Sequence, residues 1–255
     1  MAKGKSFRAK AKAWAQKQGL HGQGAFLRYV MFVFTENINR VTDDFVFKGG
    51  NLLWVYIHTP RATIDLDFAT KTLSVHQSVR GILTDACEIG PPEIEFRIIE
   101  FKEIEQREAS AAAVRVAYKT HDGAANTFDL DIVYLIGKGD IVLASPIEGT
   151  QTIRVSPLEN IIADKIVTCH RFKSGNTRMK DYDDLWRISK AKKRLDHDLL
   201  RALLSADCAL KTEWADEQME TSWQNHRKRY LDLPPTLGDA IAEINMWLAV
   251  LFNQH

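Results

Sequence analysis

Phe45-Val46-Phe47-Lys48-Gly49-Gly50-Asn51-Leu52-Leu53, followed by Arg61-Ala62-Thr63-Ile64-Asp65-Leu66-Asp67-Phe68, is the stretch that decides how this chain folds. It reads as a short apolar strand over 45–48, a Gly-Gly turn, an apolar helix over 50–57 and a second strand over 63–69. Side chains alternate faces along a strand, so Ile64, Leu66 and Phe68 are expected to face a core while Asp65 and Asp67 face the other way. A second run, Phe128-Asp129-Leu130-Asp131-Ile132-Val133-Tyr134, splits the same way, with Asp129 and Asp131 on one face. Two Asp on one strand face stand about 6–7 Å apart, and their repulsion is relieved by a cation between them. A hard ion such as Mg²⁺ is the usual companion of carboxylates and phosphates. The alternative is a pair of solvated carboxylates on an exposed face, but Asp is depleted in strands and two such pairs are unusual. The glycines permit close backbone approach to a ligand, and amides at a helix start favour phosphate, although most Gly-Gly pairs are only turns.

The order of Lys48-Gly49-Gly50, helix, Arg61-x-Thr63-x-Asp65-x-Asp67 resembles the nucleotidyltransferases of DNA polymerase β type. Within them it is most similar to the AbiEii/AbiGii toxin family, whose typical text is Lys-Gly-Gly and then Arg-x-Ser-x-Asp-x-Asp. Here Thr63 stands in the Ser position. The family's second motif is a Lys on a helix, then a basic residue, Arg/Lys-Asp and a further Asp. This chain has Lys165 and then Arg178-Met179-Lys180-Asp181-Tyr182-Asp183-Asp184.

The resemblance covers roughly residues 45 to 187 and implies an α+β fold: a polymerase β-like core, a mixed sheet with flanking helices, followed by a C-terminal helical bundle. It implies Mg²⁺-dependent transfer of a nucleoside monophosphate from an NTP to an RNA, tRNA in particular, or to a protein. It further implies the toxin half of a bacterial toxin–antitoxin or abortive-infection system, with a cognate antitoxin as partner. Lys48, Gly49, Gly50, Arg61 and Thr63 would bind the nucleotide, joined by Arg178 and Lys180. Asp65 and Asp67 would hold the metal with a third carboxylate. Asp131 is favoured for that role over Asp129, though the register between the two strands is not readable from sequence. Lys165 would offset charge on the transferring phosphates, and Asp181 would position or activate the acceptor, with Asp184 on the same helix face.

The residues themselves leave room for plainer readings. Lys165 falls inside an apolar stripe made by Leu158, Ile161, Ile162, Ile166 and Cys169, so it either snorkels to water or points at a buried anion. Asp181 and Asp184 suit a solvated helical turn near a helix start. His170 reads as a surface residue. Glu100-Phe101-Lys102, with Asp85 upstream, is a short nuclease-like pattern that leaves the Gly-Gly turn and the Asp65/Asp67 pair unexplained. A binding module that has kept the fold without catalysis is a further alternative.

The chain has 255 residues, 45% hydrophobic and 26% charged, with a net charge of +1. That is enough for a sizeable core, and no global field demands a nucleic-acid partner. Basic residues gather at the start: Lys3, Lys5, Arg8, Lys10, Lys12 and Lys17, with no acid among residues 1–19. Such an arm suits RNA phosphates, while a helix packed through Phe7, Ala11 and Trp14 is the structural alternative. The arm lacks the apolar core and cleavage site of a signal peptide. The run from Ala25 to Phe34 is broken by Arg28 and too short to span a membrane. Cys87, Cys169 and Cys208 are scattered, without metal spacing, which fits a reducing cytoplasm.

Helices are expected at 5–18, 24–38 and 73–87, and strands at 94–101, 113–119, 127–135 and 153–155, with a turn at 137–140. Helices then follow at about 157–172, 180–190, 196–206, 212–230 and 236–253. Ser156-Pro157-Leu158-Glu159 reads as a capped helix start. The change of period there divides the chain into a nucleotidyltransferase core with N-terminal helices over 1–155 and a helical domain carrying the second motif over 156–255.

Overall fold

A computed structural model describes residues 6–70, 76–105, 110–133, 139–147, 151–175, 178–205 and 208–253. Lys3, Lys5, the first residues of the helix expected from Leu73, Tyr134 and the first part of the 137–140 turn lie outside them. By its internal contacts the chain divides into two units, one made of Met1–Val55 with Arg61–Ser156 and the other of Tyr56–Pro60 with Pro157–His255. No feature of the sequence marks Tyr56–Pro60 as belonging with the second.

The first unit begins with two helices, α1 (Phe7–Lys17) and α2 (Gly22–Val41), and continues with β1 (Phe45–Lys48), α3 (Gly49–Ile57), β2 (Asp65–Thr70) and α4 (His76–Glu88). Five further strands follow: β3 (Ile94–Glu105), β4 (Ser110–Thr120), β5 (Ala125–Val133), β6 (Ile141–Ala144) and β7 (Thr152–Val155). They form one seven-stranded mixed sheet in the order β3-β4-β5-β2-β1-β7-β6. The pairs β2/β5 and β1/β7 are parallel and the others antiparallel.

Helix α2 is apolar almost all round and accordingly buried. Its Phe32 meets Phe47 of β1 edge-on with ring centroids 6.2 Å apart, and Phe34 packs on Phe96 and Phe128 at 5.0 and 5.5 Å. The basic arm is a structural helix. Ser6 caps α1 through the amide of Ala9, and Phe7, Ala11, Trp14 and Ala15 are buried. Trp14 joins Tyr29, Phe32 and Trp54 in one aromatic cluster. Two of its cations are tied to acids: Arg8 lies beside Asp122, and the Lys10 ammonium reaches Glu93 at 2.5 Å.

Three local readings are corrected. Ile64 stands before β2 begins, so the strand alternation does not reach it, and it is 67% exposed. The run Ile141–Ala144, too short to stand out, forms the edge strand β6. Ser156 is not the helix cap: its amide extends the parallel pairing by donating to the Phe47 carbonyl at 2.8 Å. Pro157 holds the cap position, without a side-chain bond.

The second unit contains α5 (Leu158–Phe172), α6 (Met179–Lys190), α7 (His197–Leu203), α8 (Glu217–Arg227) and α9 (Leu237–Asn253). The helix expected over 212–230 is split: a short 3₁₀ turn, Thr212–Trp214, precedes Asp216, whose carboxylate caps α8 by accepting from the Met219 amide at 2.9 Å. Asp196 caps α7 in the same way. Tyr182, Leu185, Trp223, Ile241 and Ile244 fill the interior. Among the described residues no helix is long and apolar enough to cross a membrane.

Candidate active site

The register of β2 on β5 assembles the carboxylates of the first unit. The strands run parallel with Asp65 level with Asp129 and Asp67 level with Asp131. Residues in register share a face, so all four carboxylates project to one side. Leu66, Phe68, Leu130 and Ile132 take the other side and are fully buried.

The next strand separates the two members of β5. Arg115 of β4 is level with Asp129 and binds it with both arms of the fork, Nε to Oδ1 at 2.7 Å and Nη2 to Oδ2 at 3.3 Å. Asp131 is level with Ala113, which offers it nothing. Partial burial, and after it the negative charges of Asp65 and Asp129, push the Asp131 carboxyl above its ordinary range. Asp129 is thus neutralised from the side, whereas Asp131 carries charge that its neighbours repel.

Among the described residues no three His, Cys, Asp or Glu side chains are gathered closely enough to hold a metal ion as they stand. By chemistry Asp65, Asp67 and Asp131 fit a hard divalent cation. They are oxygen donors on one face, and the raised Asp131 registers a repulsion that such an ion relieves.

The two glycines have separate tasks. Gly49 has φ +75°, a left-handed conformation that disfavours any side chain, and a Cβ there would lie 1.8 Å from Oδ2 of Asp67. A Cβ on Gly50 would lie 2.5 Å from Nη2 of Arg61 and 2.8 Å from Oγ1 of Thr63. The space left by the glycines is therefore taken by the motif's own side chains, not held open for a ligand. Lys48 is level with Asp67 on β1. The Thr63 hydroxyl is buried and has no hydrogen-bond partner among the described residues. Helix α3 begins at Gly49, so its first amides lack intrahelical partners in the same place.

Two residues that the sequence reading passed over hold this arrangement. Arg28 is 5% exposed inside α2. Its Nε donates to Oδ1 of Asn51 at 3.1 Å, its Nη2 donates to the Arg61 carbonyl at 3.1 Å, and its guanidinium lies 4.9 Å from the centre of the Trp54 ring. Burial, and then Arg61, lower its pKa to about 10. Asn51, buried on α3, passes the connection on: its Nδ2 donates to the Asp65 carbonyl at 2.7 Å. An arginine inside an otherwise apolar helix was the available signal.

The second motif forms its own cluster in the second unit. Lys165 does not snorkel. Its ammonium lies 2.6 Å from Oδ2 of Asp184 and 3.2 Å from Oδ1 of Asp181, with only 12% of its side chain exposed. Asp184 is wholly buried and Asp181 nearly so, which overturns the solvated reading of that helical turn. Arg178, exposed, approaches Oδ2 of Asp181 at 3.3 Å, and Lys180 is half-buried. Asp183, between the two motif acids, is also buried. It accepts from Nε of Arg187 at 2.5 Å and lies 2.8 Å from Nε2 of His226, and Arg187 continues to Asp232. The i,i+4 spacing of Asp183 and Arg187 was legible, but the links to His226 and Asp232 were not. His170 is half-buried, edge-on to Trp214 at 4.9 Å.

The nuclease-like residues are spoken for within the sheet. The Lys102 ammonium lies 2.5 Å from Oε1 of Glu100, and Arg115 approaches the other oxygen.

The family described as "Nucleotidyl transferase AbiEii toxin, Type IV TA system" matches residues 36–247. No curated protein matches the chain. Two crystal structures from Helicobacter pylori share the fold. One, described as a candidate nucleotidyltransferase, has a TM-score of 0.57 at 18% identity over 91% of this chain and 96% of that one. The other, JHP933, has a TM-score of 0.58 at 18% identity over 91% of this chain and 93% of that one.

Proposed function

The chain belongs to the AbiEii nucleotidyltransferase toxin family of type IV toxin–antitoxin systems, and from this premise we propose that it transfers a nucleoside monophosphate from an NTP to an RNA acceptor. The observation that carries the reading is the register of β2 on β5, which sets Asp65 and Asp67 level with a second Asp pair, next to the turn where Gly49 packs on Asp67.

Asp65, Asp67 and Asp131 are the residues that would hold Mg²⁺. The Arg115 clamp on Asp129 supports choosing Asp131 as the third. The ion would supply charge neutralisation on the triphosphate and polarise the α-phosphate. The first amides of α3 at Gly49 and Gly50, with Lys48, Arg61 and the Thr63 hydroxyl, bind and orient the triphosphate. Arg28 and Asn51 keep Arg61 and Asp65 in place through their carbonyls. An acceptor hydroxyl attacks the α-phosphorus. The new O–P bond forms as the bond to the bridging oxygen breaks, and pyrophosphate leaves with that electron pair. From the second motif, Lys165 is assigned to offsetting phosphate charge, Asp181 to taking up the acceptor proton, Asp184 to holding Lys165, and Arg178 and Lys180 to phosphate contact. The nearly dry Lys165–Asp181–Asp184 cluster supports a role beyond surface solvation.

The test is incubation of the protein with each labelled NTP, Mg²⁺ and either total RNA or whole lysate. Label in an RNA band that requires Asp65 and Asp67 is expected. Label in no polymer with any NTP would refute the activity, and label in protein alone would refute the acceptor.

A further inference from the structure

A cavity of about 980 Å³ opens in the first unit between α1, the turn before α2 and the tip of the β4–β5 hairpin. It reaches the candidate site through one residue. Ile64, which immediately precedes Asp65, lines it and is 67% exposed, an unusual setting for a large apolar side chain. Asn126, also in the lining, lies on β5 upstream of Asp129, about 10 Å away at the strand rise.

The lining is cationic. It includes Arg8, Lys12 and His21 and no carboxylate. The Arg8 guanidinium is 3.6 Å from Asp122, so its charge is partly offset. Lys12 is exposed, one helical turn after Arg8 on the same side of α1. Gln16, Gln23 and Asn126 add amide donors and acceptors, and Phe26 and Tyr118 stand together in the wall with ring centroids 6.3 Å apart. The space is open: a Cβ on Gly24 would meet no atom within 4 Å.

We infer that this cavity docks the acceptor as a single-stranded RNA segment and leads its reactive hydroxyl past Ile64 to the Asp65 face. The inference rests on the nucleotidyl-transfer reading above. Cations without acids suit a phosphodiester chain, amides read base edges, and exposed apolar and aromatic surface stacks on bases. A volume near the top of the range for small-molecule sites, roughly 300–1,000 Å³, suits a stretch of chain larger than one nucleotide. A duplex is too broad to enter such a recess.

The test uses the full chain and a short fluorescein-labelled single-stranded RNA of mixed sequence, with anisotropy read across a salt series in Mg²⁺. Binding of a fluorescent NTP and thermal melting are followed in parallel. Gly24→Trp, which fills the recess from a position with room for a side chain, is expected to weaken RNA binding by about tenfold or more, the size of one lost base-stacking contact. Lys12→Glu is expected to make the slope of log affinity against log salt shallower by about 0.7. Melting and NTP binding should match the wild type in both. If Gly24→Trp fails to fold, Lys12→Glu, at an exposed position, decides alone. Unchanged RNA affinity and slope in folded variants would overturn the inference. So would a wild type that binds NTP yet binds no single-stranded RNA or labels only protein. A wild type that binds no NTP would overturn the nucleotidyl-transfer reading and this inference with it.

Discussion

Replacing Lys165 by Met should damage the protein's stability before any question of turnover arises. On the apolar stripe of α5 alone the change looks harmless, because Met keeps the stem and suits the neighbours. The ion cluster reverses that expectation. The Lys165 ammonium stands 2.6 Å from a carboxylate that is 0% exposed and 3.2 Å from one that is 5% exposed. Removing one partner of a buried pair leaves an uncompensated charge, at a cost of about 3–5 kcal/mol. Asp181 keeps Arg178 nearby, so Asp184 is the group stranded, and the lower end, about 3 kcal/mol, is the better estimate. For a protein of this size 1 kcal/mol moves the melting temperature by about 2–4 °C, so the expected loss is roughly 6–12 °C. The double variant Lys165→Met/Asp184→Leu should recover most of it, because replacing a whole buried pair with apolar groups is often neutral. Melting followed by circular dichroism, with the two single variants completing the cycle, measures this directly. A Lys165→Met protein that melts within about 2 °C of the wild type would refute the reasoning, since the ion contacts would then contribute nothing.

Gly49→Ala should be folded but inactive. The left-handed backbone costs about 1–2 kcal/mol with a side chain, and the new methyl expels the Asp67 carboxylate from its place, so labelled-nucleotide transfer should vanish while melting falls only modestly. Asp131 gives a pH signature. Its folded-state pKa is raised, so the folded chain takes up the proton more readily than the unfolded one, and ionising it costs stability. That cost is absent below the ordinary Asp range, about 4, and is fully present once the pH has passed above the raised value. The cation-free protein should therefore lose stability over that interval, Asp131→Asn should flatten the loss, and Mg²⁺ should offset it in the wild type alone; equal pH profiles for the two proteins would count against the charge assignment. Trp14→Ala should cost about 3–5 kcal/mol, as for other buried Trp, and deletion of residues 1–19 should give unfolded protein in a solubility and melting assay. Expression of the wild type should slow growth of a bacterial host while Asp65→Ala does not, and a harmless wild type that is active in vitro would remove toxicity and leave the chemistry.

The elements around the site were legible because their signals are local. Alternation gave β2 and β5 their faces, and the Gly-Gly turn between an apolar strand and an apolar helix appears as β1 and α3. What the sequence left open is long-range. No periodicity says that Asp65 stands level with Asp129, or that Arg115 neutralises one Asp of β5 and leaves the other. The glycines were read for their freedom towards a ligand, yet side chains from β2 and the segment before it fill that space. Ile64 was misjudged because alternation was extended one residue beyond the strand. Arg28 was visible only as a break in an apolar run, and its partners Asn51 and the Arg61 carbonyl come from segments brought in by tertiary packing.

The parallel pairing of β2 with β5 also sets when in its life the protein becomes dangerous. Asp65 and Asp67 leave the ribosome early, but Asp131 arrives only after α4, β3 and β4 have been made, and β1 waits longer still for Val155 of β7. Parallel pairs between strands distant in the chain form slowly, because the loop between them must close before any contact rewards it. A nascent or prematurely ended chain therefore carries the Gly-Gly turn and the first two carboxylates without the third. For an enzyme made in the cell it would poison, the topology acts as a delay, withholding a complete carboxylate set until the whole sheet has been translated and closed.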